Sequence, residues 1–207
     1  NLDISNNKRE NKMTHTILKE ILAEMKKITL HADAIETNIF DLSIELRKIK
    51  DNTQKSTIKI KLTREQVVEK YKLDKDLSGY DLSELDLSGL YFRDINLQRS
   101  DLHNTNLRNT DLTDANLTRT NLHKANLSGA NLRGAFLCKA NLCGANLTGA
   151  KLSRADLTEA DLCEANLCRA NLYKANLSGV DLSRSYLGGA DLSGANLCGV
   201  NIKNENI

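Results

Sequence analysis

Residues 121–150 read NLHKANLSGA NLRGAFLCKA NLCGANLTGA, with a leucine on every fifth position. The beat runs far outward in both directions. From Leu77, Leu82, Leu87, Phe92, Leu97 and Leu102 to Leu197, Ile202 and Ile207 the frame fills 27 positions, with no insertion and no skipped step. All but Phe92, Ile202 and Ile207 are Leu, so these positions share one environment. From Ala115 a second column stands two residues earlier, through Ala125, Ala130, Ala135, Ala140, Ala145 and Ala150 to Ala175. A repeat this regular governs every other reading of the chain.

A period of five fits neither regular backbone. Along an α-helix five residues advance about 140° beyond a full turn, so the leucines would spiral round every side. Along a flat strand five is odd, and successive leucines would face opposite ways. The chain must therefore bend at every unit. That describes a solenoid with Leu and Ala inside, whose coils stack by strand-like hydrogen bonds at roughly 4.8 Å per coil.

Residue types agree. Asp101, Asn106, Asp111, Asn116, Asn121 and Asn126 precede the leucines, and such side chains brace turns by bonding nearby main chain. Small pairs follow, as in Ser78-Gly79, Ser88-Gly89, Ser128-Gly129, Ser178-Gly179 and Ser193-Gly194. Glycine there suits a corner of positive φ. This density of Asn, Asp, Ser and Gly rejects a helix.

The units Ala-Asn-Leu-Ser-Gly (125–129), Ala-Asp-Leu-Thr-Glu (155–159) and Ala-Asn-Leu-Cys-Gly (195–199) resemble the pentapeptide-repeat family over about two thirds of the chain. The resemblance implies a mainly β fold: a right-handed parallel β-helix of square cross-section. It implies four units per coil, which the period alone does not. Residues 20 apart then lie above one another, and 76–207 make about seven coils, roughly 30 Å long.

The chain has 207 residues and a net charge of +2, enough for one sizeable domain and an appendage. Residues 1–75 carry 16 Lys and Arg against 12 Asp and Glu, while 76–207 carry 13 against 15. Neither part is charged enough to point to nucleic acid as a partner. No run reaches the 18 or more apolar residues of a membrane span, and the polar Asn1–Lys12 stretch does not read as a signal peptide. Cys138, Cys143, Cys163, Cys168 and Cys198 all occupy repeat positions otherwise held by small residues. They read as reduced thiols in a cytoplasmic protein.

Ahead of the repeats, residues 1–12 read as a disordered tail. Residues 13–50 read as an amphipathic helix. Leu18, Ile21, Met25, Ile28, Ala32, Ile35, Ile39, Leu42, Leu46 and Ile49 alternate steps of three and four, the seam of a coiled coil. Isoleucine at most d positions leans toward more than two strands. Two other readings stay open. The helix breaks near His31–Asp33, with Asp33 and Glu36 starting a second one, or the stripe packs on the first coil. Leu30, Phe40 and Ile44 lie off the seam and favour a bundle.

Residues 51–75 read as a linker, a short strand and a capping helix. Ile58, Ile60 and Leu62 alternate with Lys59 and Lys61, and Thr63-Arg-Glu-Gln66 is a capping-box pattern leading into a helix through Tyr71. This segment is expected to cover the first coil, since a solenoid end exposes apolar groups and strand edges. At the other end, Ile202 and Ile207 leave an open coil as a second route to self-association.

No phosphate loop, nucleophile elbow or HExxH helix is present in the sequence, so no catalysis and no cofactor are expected. At 20-residue stacking His103, His123, Cys143 and Cys163 fall in one column of zinc-ligand types. A flat ladder resists tetrahedral convergence, so no metal site is assigned. A second column, Arg99, Arg119 and Lys139, is followed by Glu159. Stacked cations repel unless an anion lies against them, so this strip is a candidate contact for an acidic partner. Arg93, Arg133, Arg154 and Lys174 are further basic outward positions. The departures from the repeat carry the most information. Tyr91, Phe136, Lys151 and Tyr186 stand where Asp or Asn belongs, and Tyr173 replaces a small residue. Outward aromatics are candidate anchors.

These readings favour a non-enzymatic protein-interaction scaffold. A rigid rod presents flat walls to an unknown protein partner, and the N-terminal segment gathers copies into a homo-oligomer. Two alternatives stay open. The resemblance implies the first, since some members of the family inhibit or protect DNA gyrase, a type II topoisomerase, by imitating the acidic duplex. The second, an effector acting on a host protein, rests on the Asn-, Lys- and Ile-rich N-terminal part, which fits an AT-rich genome. The near-neutral repeat region, with Arg and Lys in its columns, departs from the acidic pattern of the first.

Overall fold

The computed structural model describes residues 59–202. The seam expected over residues 14–50, the tail before it and Ile207 lie outside them.

Strand pairing gives the coil its size. Every parallel bridge from Asp76 onward joins residues 20 apart: Asp76 to Asn96, Asn96 to Asn116, Asp81 to Asp101, Asp86 to Asn106 and Tyr91 to Asp111. With five residues per unit, four units close one coil and make four walls. The first wall runs Asp76, Asn96, Asn116, Phe136, Asp156, Asn176, Asn196. The second runs from Asp81 to Asn201, the third from Asp86 to Tyr186, and the fourth from Tyr91 to Asp191. Roughly six coils stack along the described residues, at ~4.8 Å each.

A single unit shows why the sequence must look as it does. In residues 126–130 all five main-chain N–H groups have a partner. Asn126 donates back to the Thr105 carbonyl at 2.9 Å. Leu127 and Gly129 donate forward to the carbonyls of Asn146 and Thr148 at 2.7 and 3.0 Å. Ala130 closes the turn on the Leu127 carbonyl at 3.0 Å. Ser128 points along the wall, where no main-chain acceptor waits, and the Asn126 Oδ1 accepts its N–H at 3.1 Å. The Asp or Asn before each leucine therefore supplies the acceptor that the fold itself lacks. Its amide can also reach the coil before: Asn121 Nδ2 donates to Asp101 Oδ1 at 2.9 Å, and Asn106 Nδ2 to Asp86 Oδ1 at 3.0 Å.

The corner sits two residues after each leucine. There φ is positive, +67° at Gly129 and +58° at Arg119. A hydrogen-bonded turn with its third residue left-handed is of type II. That position holds Gly, Asn, Asp or long unbranched Arg, Lys and Glu. Val, Ile and Thr, which tolerate the left-handed region poorly, are absent from it.

Inside, frame residues from Leu77 to Leu182 are buried, as is the alanine column from Ala115 to Ala175. In the earlier coils the second column holds Ser100, Thr105, Thr110 and Thr120, equally buried. Their hydroxyls bond main-chain carbonyls: Thr105 to Leu82 at 2.8 Å, Thr110 to Leu87 at 3.0 Å, and Thr120 to Leu97 at 2.7 Å.

The first coil is covered by α1, residues Arg64–Leu73. Thr63 caps it, its hydroxyl accepting from the Gln66 N–H while the Gln66 side chain accepts from the Thr63 N–H. It ends where Asp74 closes the last turn on Lys70, and Lys75 follows with φ +55°. Val67 is fully buried, and Leu62 and Tyr71 pack on the Leu core. The Tyr71 ring meets Phe92 edge-on, centroids 5.1 Å apart, and its hydroxyl donates to the Arg93 carbonyl at 3.1 Å. Ahead of α1, Lys61 bridges Asp81 and extends the second wall by one rung.

Candidate functional site

The aromatic departures all point outward. Tyr91 is 77% exposed, Tyr186 64%, Phe136 52% and Tyr173 39%. They do not form one patch. Phe136 lies on the first wall and Tyr186 on the third, while Tyr91, Lys151 and Tyr173 lie on the fourth. Each departure at the Asp or Asn position costs the unit an acceptor. A Phe, Tyr or Lys side chain offers nothing to the N–H two residues on, a net loss of about 0.5–1.5 kcal/mol per unit. These are places where some other demand outweighs the stability of the coil.

The cation column on the first wall is weaker than its sequence. Lys139 Nζ pairs with Glu159 Oε2 at 3.2 Å, so the third of the three charges is answered from the next coil. Arg99 and Arg119 occupy left-handed corners, φ +59° and +58°.

The fourth wall gathers more. Lys151 joins Arg93 and Arg133 along a shallow groove of about 360 Å³, floored by Thr113, Asn131 and Ser153. The one carboxylate in the lining, Asp111, is already engaged. Its Oδ1 accepts from the Thr113 N–H at 3.1 Å, the Thr113 hydroxyl at 2.5 Å and Asn131 Nδ2 at 3.2 Å. Among the described residues Arg93, Arg133 and Lys151 have no ion-pair partner. Just beyond the groove, Lys174 lies over the Tyr173 ring at 5.1 Å from its centroid. The sequence reading named each of these residues but not their union. Stepping by 20 residues from Lys151 to Asn131 and Asp111, and from Ser153 to Arg133, Thr113 and Arg93, would have found it.

The second wall is opposite in character. Asp81, Asp101, Asp161 and Asp181 share it, with Glu84 and Glu164 at its corners. His103 Nδ1 lies 2.9 Å from Asp101 Oδ1. Burial pushes the Asp101 carboxyl up, but hydrogen bonds from the His103 side chain and main chain outweigh this and hold it below its ordinary value. Further along, Cys143, Asp161 and Cys163 bring one donor atom each to within 4.8 Å of one another. Burial, then Asp161 and Cys163, push the Cys143 thiol up to about 11. Asp161 was missed because the column rule pairs residues 20 apart, while Asp161 and Cys163 meet across a single leucine. Among the described residues no helix is long and apolar enough to cross a membrane.

Comparison with known proteins bears on the whole rod. The sequence pattern of pentapeptide repeats matches in 8 copies over residues 95–134, 120–158, 150–187 and 175–204. No curated protein matches the chain. Among solved structures, Rfr23, a pentapeptide repeat protein from the cyanobacterium Cyanothece 51142, is 25% identical, with 66% of this chain and 97% of that chain covered and a TM-score of 0.45. The pentapeptide repeat protein alr5209 from Nostoc Pcc 7120 is 29% identical over 71% of this chain and 100% of that one, TM-score 0.43. Trypsin-treated QnrB1, a plasmid-mediated fluoroquinolone resistance protein, is 24% identical over 62% and 77%, TM-score 0.45.

Proposed function

The chain belongs to the pentapeptide-repeat family, and from that premise we propose that it works as a non-enzymatic scaffold whose fourth wall receives an acidic segment of a partner protein. One observation carries the reading: Arg93, Arg133 and Lys151 line a single groove without an ion-pair partner among the described residues, and Lys151 is there at the expense of a turn acceptor. Carboxylates of a partner would satisfy three charges that the rod leaves open, and Tyr173 would supply an apolar flank. The wall is held by hydrogen bonds from coil to coil, so little ordering cost opposes docking.

The test is affinity selection with the full chain, followed by the same selection with R133E/K151E. A partner retained by the wild type and lost by the variant supports the groove. Equal retention overturns it. The interaction should also weaken steeply with salt, since both sides are charged and exposed. In this reading copies gather through residues 14–50. Sedimentation of the full chain at rising concentration checks this, and a monomer throughout refutes it.

A type II topoisomerase as target draws on the acidic second wall, where Asp81 stacks on Asp101 and Asp161 on Asp181. A supercoiling assay with gyrase and a quinolone separates the readings. Protection that survives R133E/K151E would favour this one.

A further inference from the structure

We propose that Cys143, Cys163 and Asp161 form a surface site for one thiophilic d10 cation of the zinc and cadmium class. The three donors, two sulfurs and a carboxylate oxygen, lie within 4.8 Å of one another. Donor atoms around a tetrahedral Zn²⁺ stand roughly 3.5–4 Å apart, given Zn–S bonds near 2.3 Å, so side-chain rotation alone closes the gap. Two thiolates and a carboxylate suit a borderline-soft cation rather than Mg²⁺ or Ca²⁺.

The main chain sets this geometry before any ion arrives. The parallel bridge between Asn141 and Asp161 fixes the register of the two coils. The Cys143 N–H donates to Asn141 Oδ1 at 3.0 Å, and the Cys163 N–H to Asp161 Oδ1 at 3.0 Å. The second bond orients the Asp161 carboxylate and leaves its Oδ2 for the ion. Asp181 stands one rung further on, and Glu164 one residue beyond Cys163, so the surroundings attract cations. Arg184 opposes them, with Nη2 3.8 Å from Cys163 Sγ and Nη1 3.3 Å from Glu164 Oε1. The same side-chain conformation makes both contacts, so this exposed arginine must swing away from Cys163 as the ion binds. The flat wall denies a closed cage, as the column of His and Cys suggested, but an open site needs only three protein ligands with solvent in the fourth position. On binding, each thiol releases its proton to water as its sulfur–metal bond forms, so affinity rises with pH.

The other three cysteines supply the control. Cys138 and Cys198 lie on the first wall and Cys168 on the third, none with another cysteine on the next rung. The experiment titrates the reduced full chain with Cd²⁺ and follows the thiolate-to-cadmium charge-transfer band in the ultraviolet. The expected result is saturation at one equivalent, retained by C138S/C168S/C198S and lost by C143S/C163S. Serine already fills this column at Ser83 and Ser183, so the double variant keeps the fold, which its far-ultraviolet circular dichroism verifies. D161N swaps an anionic ligand for a neutral amide and should weaken binding by at least about tenfold, the loss that even an outer-shell change brings. A band that survives C143S/C163S, or one that disappears from the triple variant, overturns the site. An unchanged affinity in D161N removes the carboxylate from it and refutes the three-donor assignment.

Discussion

The first coils, residues 77–112, and the middle ones, 116–151, follow one five-residue rule with different side chains. In the first, the second inward column is Tyr80, Leu85, Leu90, Ile95, Ser100, Thr105 and Thr110; in the middle it is alanine at all but Thr120. In the first, the bracing column is rich in aspartate; in the middle it is asparagine, broken by Phe136 and Lys151. Near the cap the second inward column holds larger side chains, and Thr hydroxyls and charged braces fasten the coils. In the middle that column is almost all alanine, and the braces are neutral except at Lys151. A repeat therefore specifies a bend and an interior, and leaves each coil free to choose how it is filled and fastened.

The largest expected effect tests the filling. Leu142→Ala, with Ala140 and Ala145 on either side, leaves a space that small neighbours cannot close. It should cost toward the upper end of about 2–5 kcal/mol, measured by urea unfolding. Leu87→Ala, flanked by Leu85 and Leu90, should fall at the lower end. Equal losses would erase the distinction between the two fillings. Next comes Thr105→Val, which removes the 2.8 Å bond to the Leu82 carbonyl at constant shape. A loss of about 1 kcal/mol is expected, and no loss would show that hydroxyls do not fasten the first coils.

Lys151→Asn mends one of the two breaks in the middle brace. It restores an acceptor for the Ser153 N–H and should stabilise the rod by about 0.5–1 kcal/mol while weakening capture of the acidic partner. Gain of stability without loss of binding would sharpen the coil comparison and defeat the groove. The smallest effect is on acid stability. Burial raises Asp81 and Asp101, yet hydrogen bonds from Ser83 and His103 leave both below the ordinary range. The Ser88 side chain, then its N–H, lowers Asp86. A carboxylate depressed on folding contributes stability that is present above its unfolded value near 4 and is lost as pH falls through the folded value. Amide exchange should therefore open the first coils before the middle as pH drops below about 4, since the middle braces do not titrate there. Simultaneous opening would contradict this.

Much of this was legible in residue order. Leucine at every fifth position demanded a bend, and the Asp or Asn before it read as a brace; the structure adds that the brace answers the one N–H per unit that the coils leave over. Thr63 and Gln66 spelled out the start of α1. The size of the coil was not legible, because a period of five is compatible with any whole number of units per turn. Without it, distant residues cannot be sorted onto walls. The four units per coil implied by the family resemblance do place Arg99, Arg119, Lys139 and Glu159 in one column, but the Lys139–Glu159 ion pair needed side-chain placement. Arg93, Arg133 and Lys151 sit in two neighbouring columns that a column-by-column reading does not join.

The sequence by itself determined the bend, the apolar interior and the corners, because each is set within five residues by sterics and local hydrogen bonds. The tertiary structure alone decided which side chains are neighbours across coils: the cationic groove on one wall, and the two thiols beside a carboxylate on the opposite one. Those neighbours come from successive coils, far apart in the chain, and only the closure of the coil lines them up on one wall.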